Sequence, residues 1–225
     1  NLFGEEKAGK TAWPLMTAPG PLFHIITDPN AERIINKIAQ QMGRGELPRR
    51  DLHMHKTSVQ RSGNKQTWER EWTEFLAVYD EALRAAQGRG TVIIDTGTEL
   101  YELRRLAEFG RDSNLSRAYG PVNRDFKQLY KAAYDAEVNL VVIHKMRDEY
   151  LNDKSTGKRE PAMWGDTAFQ VQVNLEAVYN ASPAWEGHRF MLRSHTNNQN
   201  MNLNGSVLPT DFCTFEQYLS LTFDS

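Results

Sequence analysis

The segment Gly4-Glu5-Glu6-Lys7-Ala8-Gly9-Lys10-Thr11 sets two glycines around four residues and follows the second with a lysine and a threonine. One ligand chemistry suits that spacing, a polyphosphate. Backbone N–H groups of such a turn wrap phosphate oxygens, the Lys10 ammonium would neutralise the β and γ oxygens, and the Thr11 hydroxyl would ligate a magnesium ion. Gly4 through Ala12 is therefore the expected nucleotide-binding segment, with ATP and Mg²⁺ as its expected ligands. At average residue frequencies the pattern arises by chance in roughly one chain of this size in a hundred. The alternative is a coincidental glycine turn, and context has to decide. Leu2-Phe3 fits the end of a strand, and an apolar strand closed by an acid occurs downstream at Asp95.

Asp95 is the natural second metal group. A carboxylate at the C-terminal edge of a neighbouring parallel strand can reach the water shell of a magnesium held by Thr11; otherwise it caps the turn before Thr96-Gly97-Thr98. Hydrolysis also needs a group that orients water, and Asp28, after the next apolar run, leads there, with Glu32 as substitute. Asp28 could equally initiate the Asp28-Pro29 turn. His144 and Lys145 follow the run Val141-Val142-Ile143, at an edge where polar groups could sense the γ-phosphate; a satisfied surface histidine is the other reading. His53 and His55 share a strand face but lack a third ligand nearby, so they read as structural. Trp68 and Trp72 have the spacing of a helix core.

These residues need elements to hold them. Pro21 to Asp28 suits a buried strand, and Ala31 to Met42 a helix with Ile34, Ile35 and Ile38 on one face, ended by Gly43 and Gly45. A strand is expected from Leu52 to Val59. From Thr67 to Gln87, apolar residues recur at Trp68, Trp72, Phe75, Leu76, Tyr79 and Leu83, as in an amphipathic helix. Thr91 to Asp95 reads as a strand, Glu99 to Phe109 as a helix, Gly110 to Asn123 as a loop, Arg124 to Glu137 as a helix, and Asn139 to Ile143 as a strand. Pro14 falls early in the helix after Lys10, where amides have no internal partner. Strand and helix alternate, which argues for a mainly parallel sheet covered by helices. Beyond Tyr150 the style changes: Leu151 to Ala162 reads as a polar loop, Phe169, Val171, Val173 and Leu175 alternate like a strand, and His188 to His195 looks extended. Antiparallel strands are expected there.

The chain has 225 residues with 27 Lys and Arg against 29 Asp and Glu, so no global basic field announces a nucleic acid, and any such contact must come from local clusters. Its single cysteine, Cys213, suits a small buried hydrophobe and a reducing compartment. No apolar run is long enough to cross a bilayer, and a cytoplasmic protein is expected. The first strand is expected to continue upstream of residue 1.

Taken in order, these parts resemble the RecA-type ATPase core, and in particular the small phage-encoded RecA-like proteins of single-strand annealing and recombination. The resemblance is carried by the glycine-lysine-threonine loop, the acid after the next strand, Val92-Ile93-Ile94-Asp95, Arg117-Ala118-Tyr119-Gly120-Pro121-Val122-Asn123, and Val142-Ile143-His144-Lys145-Met146-Arg147. It covers roughly residues 1 to 180. It implies a single RecA-like domain over 1–225, with 180–225 extending the sheet. It also implies that Lys10, Thr11 and Asp95 bind Mg-ATP, that His144 to Arg147 links nucleotide to DNA loops, and that Gly110 to Gly120 and Leu151 to Pro161 approach single-stranded DNA. Arg111 and Arg117 lie in the first of those segments, Lys154, Lys158 and Arg159 in the second; phosphate neutralisation needs such groups, although solvated loops would carry them too. Asp28 stands where a glutamate is usual nearby. Ring or filament homo-oligomers are implied, with Arg189 or Arg193 as a group acting in trans. Two other readings stand beside a DNA-dependent ATPase: a nucleotide-dependent assembly switch without DNA activity, and a helicase or packaging motor.

Overall fold

A computed structural model describes residues 1–41, 50–57, 62–111, 119–151, 154–180, 190–198 and 201–209. The elements, in chain order, are β1 (Leu2–Gly4), α1 (Ala12–Thr17), β2 (Leu22–Ile26), α2 (Pro29–Gln41), β3 (Leu52–Lys56), α3 (Lys65–Ala86), β4 (Thr91–Asp95), α4 (Gly97–Phe109), α5 (Gly120–Asp135) and β5 (Asn139–His144). There follow β6 (Met146–Leu151), β7 (Lys154–Pro161), α6 (Thr167–Gln170), β8 (Val173–Tyr179), β9 (Phe190–Asn197), a 3₁₀ turn (Met201–Leu203) and β10 (Val207–Pro209). Gly43, Gly45, Arg117, Arg189 and Cys213 lie outside the described residues. Among the described residues no helix is long and apolar enough to cross a membrane.

The chain divides into two compact units, residues 19–142 and residues 1–18 with 143–225. In the first, β2 runs parallel between β3 and β4, with Leu22 opposite both Leu52 and Thr91. Every residue of β4 is buried, as befits a parallel strand covered on both faces. α3 packs on α4 and against β2 and β4. Its apolar stripe is the one expected except at Leu76, which is half-buried: Trp68, Trp72, Phe75, Tyr79 and Leu83 are all buried. The stripe stacks internally, with Trp72 to Phe75 centroids 5.3 Å apart and Phe75 to Tyr79 5.7 Å apart. Tyr79 is anchored at its polar end, its hydroxyl donating to the Leu129 carbonyl at 2.8 Å, which satisfies the one group that burial would otherwise leave unpaired. Asn64 caps α3 by accepting from the Thr67 amide, and Thr96 caps α4 by accepting from the Glu99 amide. α2 buries Ile35 but leaves Ile34 38% exposed, so the apolar face is narrower than expected.

In the second unit, β1 lies between β8 and the end of β5, parallel to both. β9 pairs antiparallel with β8, and β10 with β9. The mostly parallel strands flanked by helices, with antiparallel strands toward the C-terminus, form the α/β fold the alternation called for.

Three expectations are corrected. Within the stretch read as a polar loop, Leu151 ends β6 and Lys154–Pro161 is β7; the two strands pair antiparallel, with Arg147 opposite Glu160 and Asp148 opposite Arg159. Their residues are mostly exposed, so no apolar alternation marks them, and cross-strand ion pairs stand where apolar pairs usually do. Phe169 does not begin a strand; it sits in the short helix α6, 83% exposed, and the strand starts at Val173. α5 opens at Gly120, four residues before the expected Arg124, because Pro121 is placed in its first turn, where its fixed φ suits a helix start.

Candidate nucleotide site

Gly4 ends β1, and the loop from Glu5 carries the chain to α1. Glu5, Glu6 and Lys7 are exposed, whereas Ala8 and Thr11 are buried. The turn has left-handed backbone at Lys7 (φ 62°) and Gly9 (φ 88°), and alternation of backbone hand is the kind of conformation from which anion-binding nests are built. Gly9 has a second reason to be glycine, since a Cβ there would stand 3.3 Å from Cδ1 of Phe190. The helix is already being wound at Gly9, whose carbonyl accepts from the Trp13 amide at 3.0 Å. Pro14 fits without a break.

Lys10 folds back across this loop. Its Nζ donates to the Gly4 carbonyl at 2.8 Å and the Glu5 carbonyl at 2.6 Å, so an ammonium is tied to the glycine-bounded loop by the loop's own carbonyls. That combination is what a polyphosphate needs, and the residues fit the group. Thr11 precedes α1 without making a capping bond to it.

Arg159, on β7, reaches the same loop. Its guanidinium donates to both Glu5 carboxylate oxygens at 3.0 and 3.3 Å and to Asp148 at 2.8 Å. Of the expected DNA-contacting residues, Lys154 and Lys158 are exposed on β7. Arg111, in the other unit, lies 5.9 Å over the Trp68 ring. Arg193 pairs with Glu176 at 2.9 Å, and Glu176 also accepts from His195 at 2.8 Å; the His195 hydrogen bond, then Arg193, hold the Glu176 carboxyl below its ordinary range. Glu176, His195, Arg159, Met146, Met163 and Phe3 line a cavity of about 240 Å³.

In the unit of residues 19–142, Asp95 closes β4 and is 2% exposed. A weave of bonds joins the ends of β2 and β4. The Asp95 carbonyl accepts from the Thr27 amide at 2.7 Å and the Asp28 amide at 3.3 Å. The Thr27 hydroxyl accepts from the Thr96 amide at 2.7 Å and donates to the Thr96 carbonyl at 2.9 Å. The Asp95–Thr96 peptide is cis. Asp28 and Asp95, separated by a helix, a strand and a second helix in sequence, thus share one sheet edge. Glu32 lies in α2. The residue not anticipated is His24. Its Nε2 lies 3.3 Å from Oδ2 of Asp95, both side chains being buried. A lone polar residue within Leu-Phe-His-Ile-Ile was the only signal the sequence offered.

His144 is buried, not a surface histidine. It ends β5 opposite Phe3, and neither ring nitrogen has a partner of hydrogen-bond geometry among the described residues. Burial pushes its pKa down to about 3, the Ala162 backbone opposing the shift. His53 stacks on Phe23 with centroids 4.8 Å apart, and among the described residues no group of three or more His, Cys, Asp or Glu is placed to hold a metal ion.

No family model and no curated protein matches this sequence. The architecture is nevertheless the expected α/β fold, with mostly parallel strands flanked by helices and antiparallel strands added. A crystal structure of the RadB recombinase is similar over 92% of this chain and 83% of its own, with a TM-score of 0.53 and 12% identity. At that identity the likeness is one of fold.

Proposed function

We propose that this chain binds and hydrolyses ATP with Mg²⁺ and acts on single-stranded DNA in recombination or annealing of the phage type. One observation carries the reading: a glycine-bounded loop between β1 and α1, exposed at Glu5 to Lys7, with the Lys10 ammonium bonded to its carbonyls. When bound, Mg²⁺ would supply charge neutralisation at the phosphates. Gly4 to Ala12 would offer backbone amides to the triphosphate and Lys10 its charge to the phosphate oxygens, and Thr11 and Asp95 are the residues that would hold the metal. Asp28 orients the attacking water, and His144, at the end of β5, relays the state of the site toward the hairpin. Arg111, Arg117, Lys154, Lys158 and Arg159 are the residues this reading assigns to DNA phosphates. The likeness to a recombinase supports this choice among ATPase activities, as does the resemblance to phage RecA-like proteins. Assembly into homo-oligomers in the cytoplasm, of the host if phage-encoded, belongs to the same reading.

The test is ATP hydrolysis with and without single-stranded DNA, on the natural sequence and on Lys10→Ala. Turnover stimulated by DNA and lost in Lys10→Ala is the expected result. Saturating DNA that neither binds nor changes turnover would sink the DNA part of the proposal; nucleotide-dependent oligomers without turnover would favour an assembly switch.

A further inference from the structure

We infer that His24 is a positioning residue for the metal-binding carboxylate of Asp95, an inference that rests on the reading of Asp95 given above. His24 occupies the middle of β2, between Leu22 and Ile26, and is 0% exposed. Its register partner on β4 is Ile93, and Asp95 stands opposite Ile26. The imidazole therefore meets Asp95 as a diagonal neighbour on the same sheet face, within reach of a long side chain.

An apolar residue would serve packing better at this point. Nδ1 of His24 is buried without a partner, which costs the desolvation of an acceptor that water would otherwise bond. The ring's one bond goes to Oδ2 of Asp95, at 3.3 Å. A carboxylate can only accept, so Nε2 carries the hydrogen and the tautomer is fixed. The backbone of Asp95 is already clamped by Thr27 and Asp28, so what His24 adds is control of the carboxylate's own torsions. Metal affinity depends on such orientation, and loss of an outer partner commonly costs about ten-fold or more in metal affinity.

The experiment uses fluorescent N-methylanthraniloyl-ATP on the whole chain, titrated with Mg²⁺ and, separately, in EDTA. His24→Met and His24→Asn both lose the donor to Asp95, Asn because its amide is too short. His24→Gln keeps a donor at the position of Nε2. The Mg²⁺ midpoint should rise about ten-fold in His24→Met and His24→Asn and stay within about three-fold in His24→Gln. Affinity in EDTA should stay within about two-fold for all three, because Asp95 acts only through the metal. Midpoints for Met and Asn equal to that of the natural protein overturn the inference, and so does a Gln variant as impaired as Met, which would mean that ring shape alone matters. Thermal melts report folding; if His24→Met does not fold, the two amide variants decide. Asp95→Asn separates the levels. An unchanged midpoint there removes both the reading of Asp95 and the role of His24, whereas a shifted midpoint with unaffected His24 variants removes the role of His24 alone.

Discussion

Gly4→Ala tests whether the strand entering the phosphate loop is held as tightly as the geometry says. Gly4 has φ +148°, and a Cβ built on it would lie 2.2 Å from the Ala177 carbonyl oxygen and 3.2 Å from the carbonyl carbon. Carbon and oxygen make contact near 3.3 Å, so β1 would have to move by about 1 Å from β8 or abandon its φ. Movement is resisted from both sides, because β1 pairs with β5 as well as β8, and β8 is pinned in turn by β9. A sparsely populated backbone conformation costs about 1–3 kcal/mol, and overpacking adds about 1–3 kcal/mol. A central sum of about 4 kcal/mol corresponds to a Tm lower by about 8–16 °C in a chain of this size. Gly110→Ala is the internal control. It too has positive φ, +70°, with ψ −158°, but nothing lies within 4 Å of its Cβ position, so only the conformational cost of about 1–3 kcal/mol remains. Gly9→Ala should fall between them, since the Phe190 ring that a Cβ would meet is 37% exposed and can yield. Urea unfolding followed by circular dichroism gives the three values. Gly4→Ala no more destabilising than Gly110→Ala would refute the account of strand crowding at the loop's entrance.

Two further outcomes follow from the geometry. His144 is buried with its pKa lowered to about 3, so the unfolded chain, whose histidine titrates near ~6.5, binds its proton first as pH falls. This contribution to stability is intact above about pH 6.5 and declines by about 1.4 kcal/mol per pH unit between there and about pH 3; His144→Leu should flatten that slope in urea midpoints measured from pH 7 to 4, and an unchanged slope would contradict the burial. Arg159 divides its guanidinium between Glu5 and Asp148, whereas Lys154 and Lys158 are exposed on the same strand; Lys154→Ala and Lys158→Ala should each lower the salt slope of single-stranded DNA binding by about 0.7, and Arg159→Ala by less, as read from fluorescence anisotropy.

What could be read from sequence follows from where polarity changes along a buried strand. β4 announced itself because Val92-Ile93-Ile94 is apolar throughout and Asp95 is not; in a parallel sheet covered by helices, the first charged residue marks the exit to the sheet edge, where ligands sit. By the same rule Asp28 was expected at the end of its own strand, and the register of β2 on β4 is what brings it beside Asp95. α3 was legible for a related reason, because its period comes from one continuous buried stripe. The hairpin of β6 and β7 broke the rule. Both of its faces are mostly exposed, so the forces that align it lie between strands, Arg147 with Glu160 and Arg159 with Asp148, and neither strand alone carries their signature. His24 was hidden for the opposite reason. It lies within a buried strand, where one polar residue looks like noise until the register sets it diagonally beside Asp95. Polar residues inside a parallel strand are costly unless paired, so an isolated histidine two residues short of such an edge is itself a signal. The place to look for its partner is the acid that closes the adjoining strand.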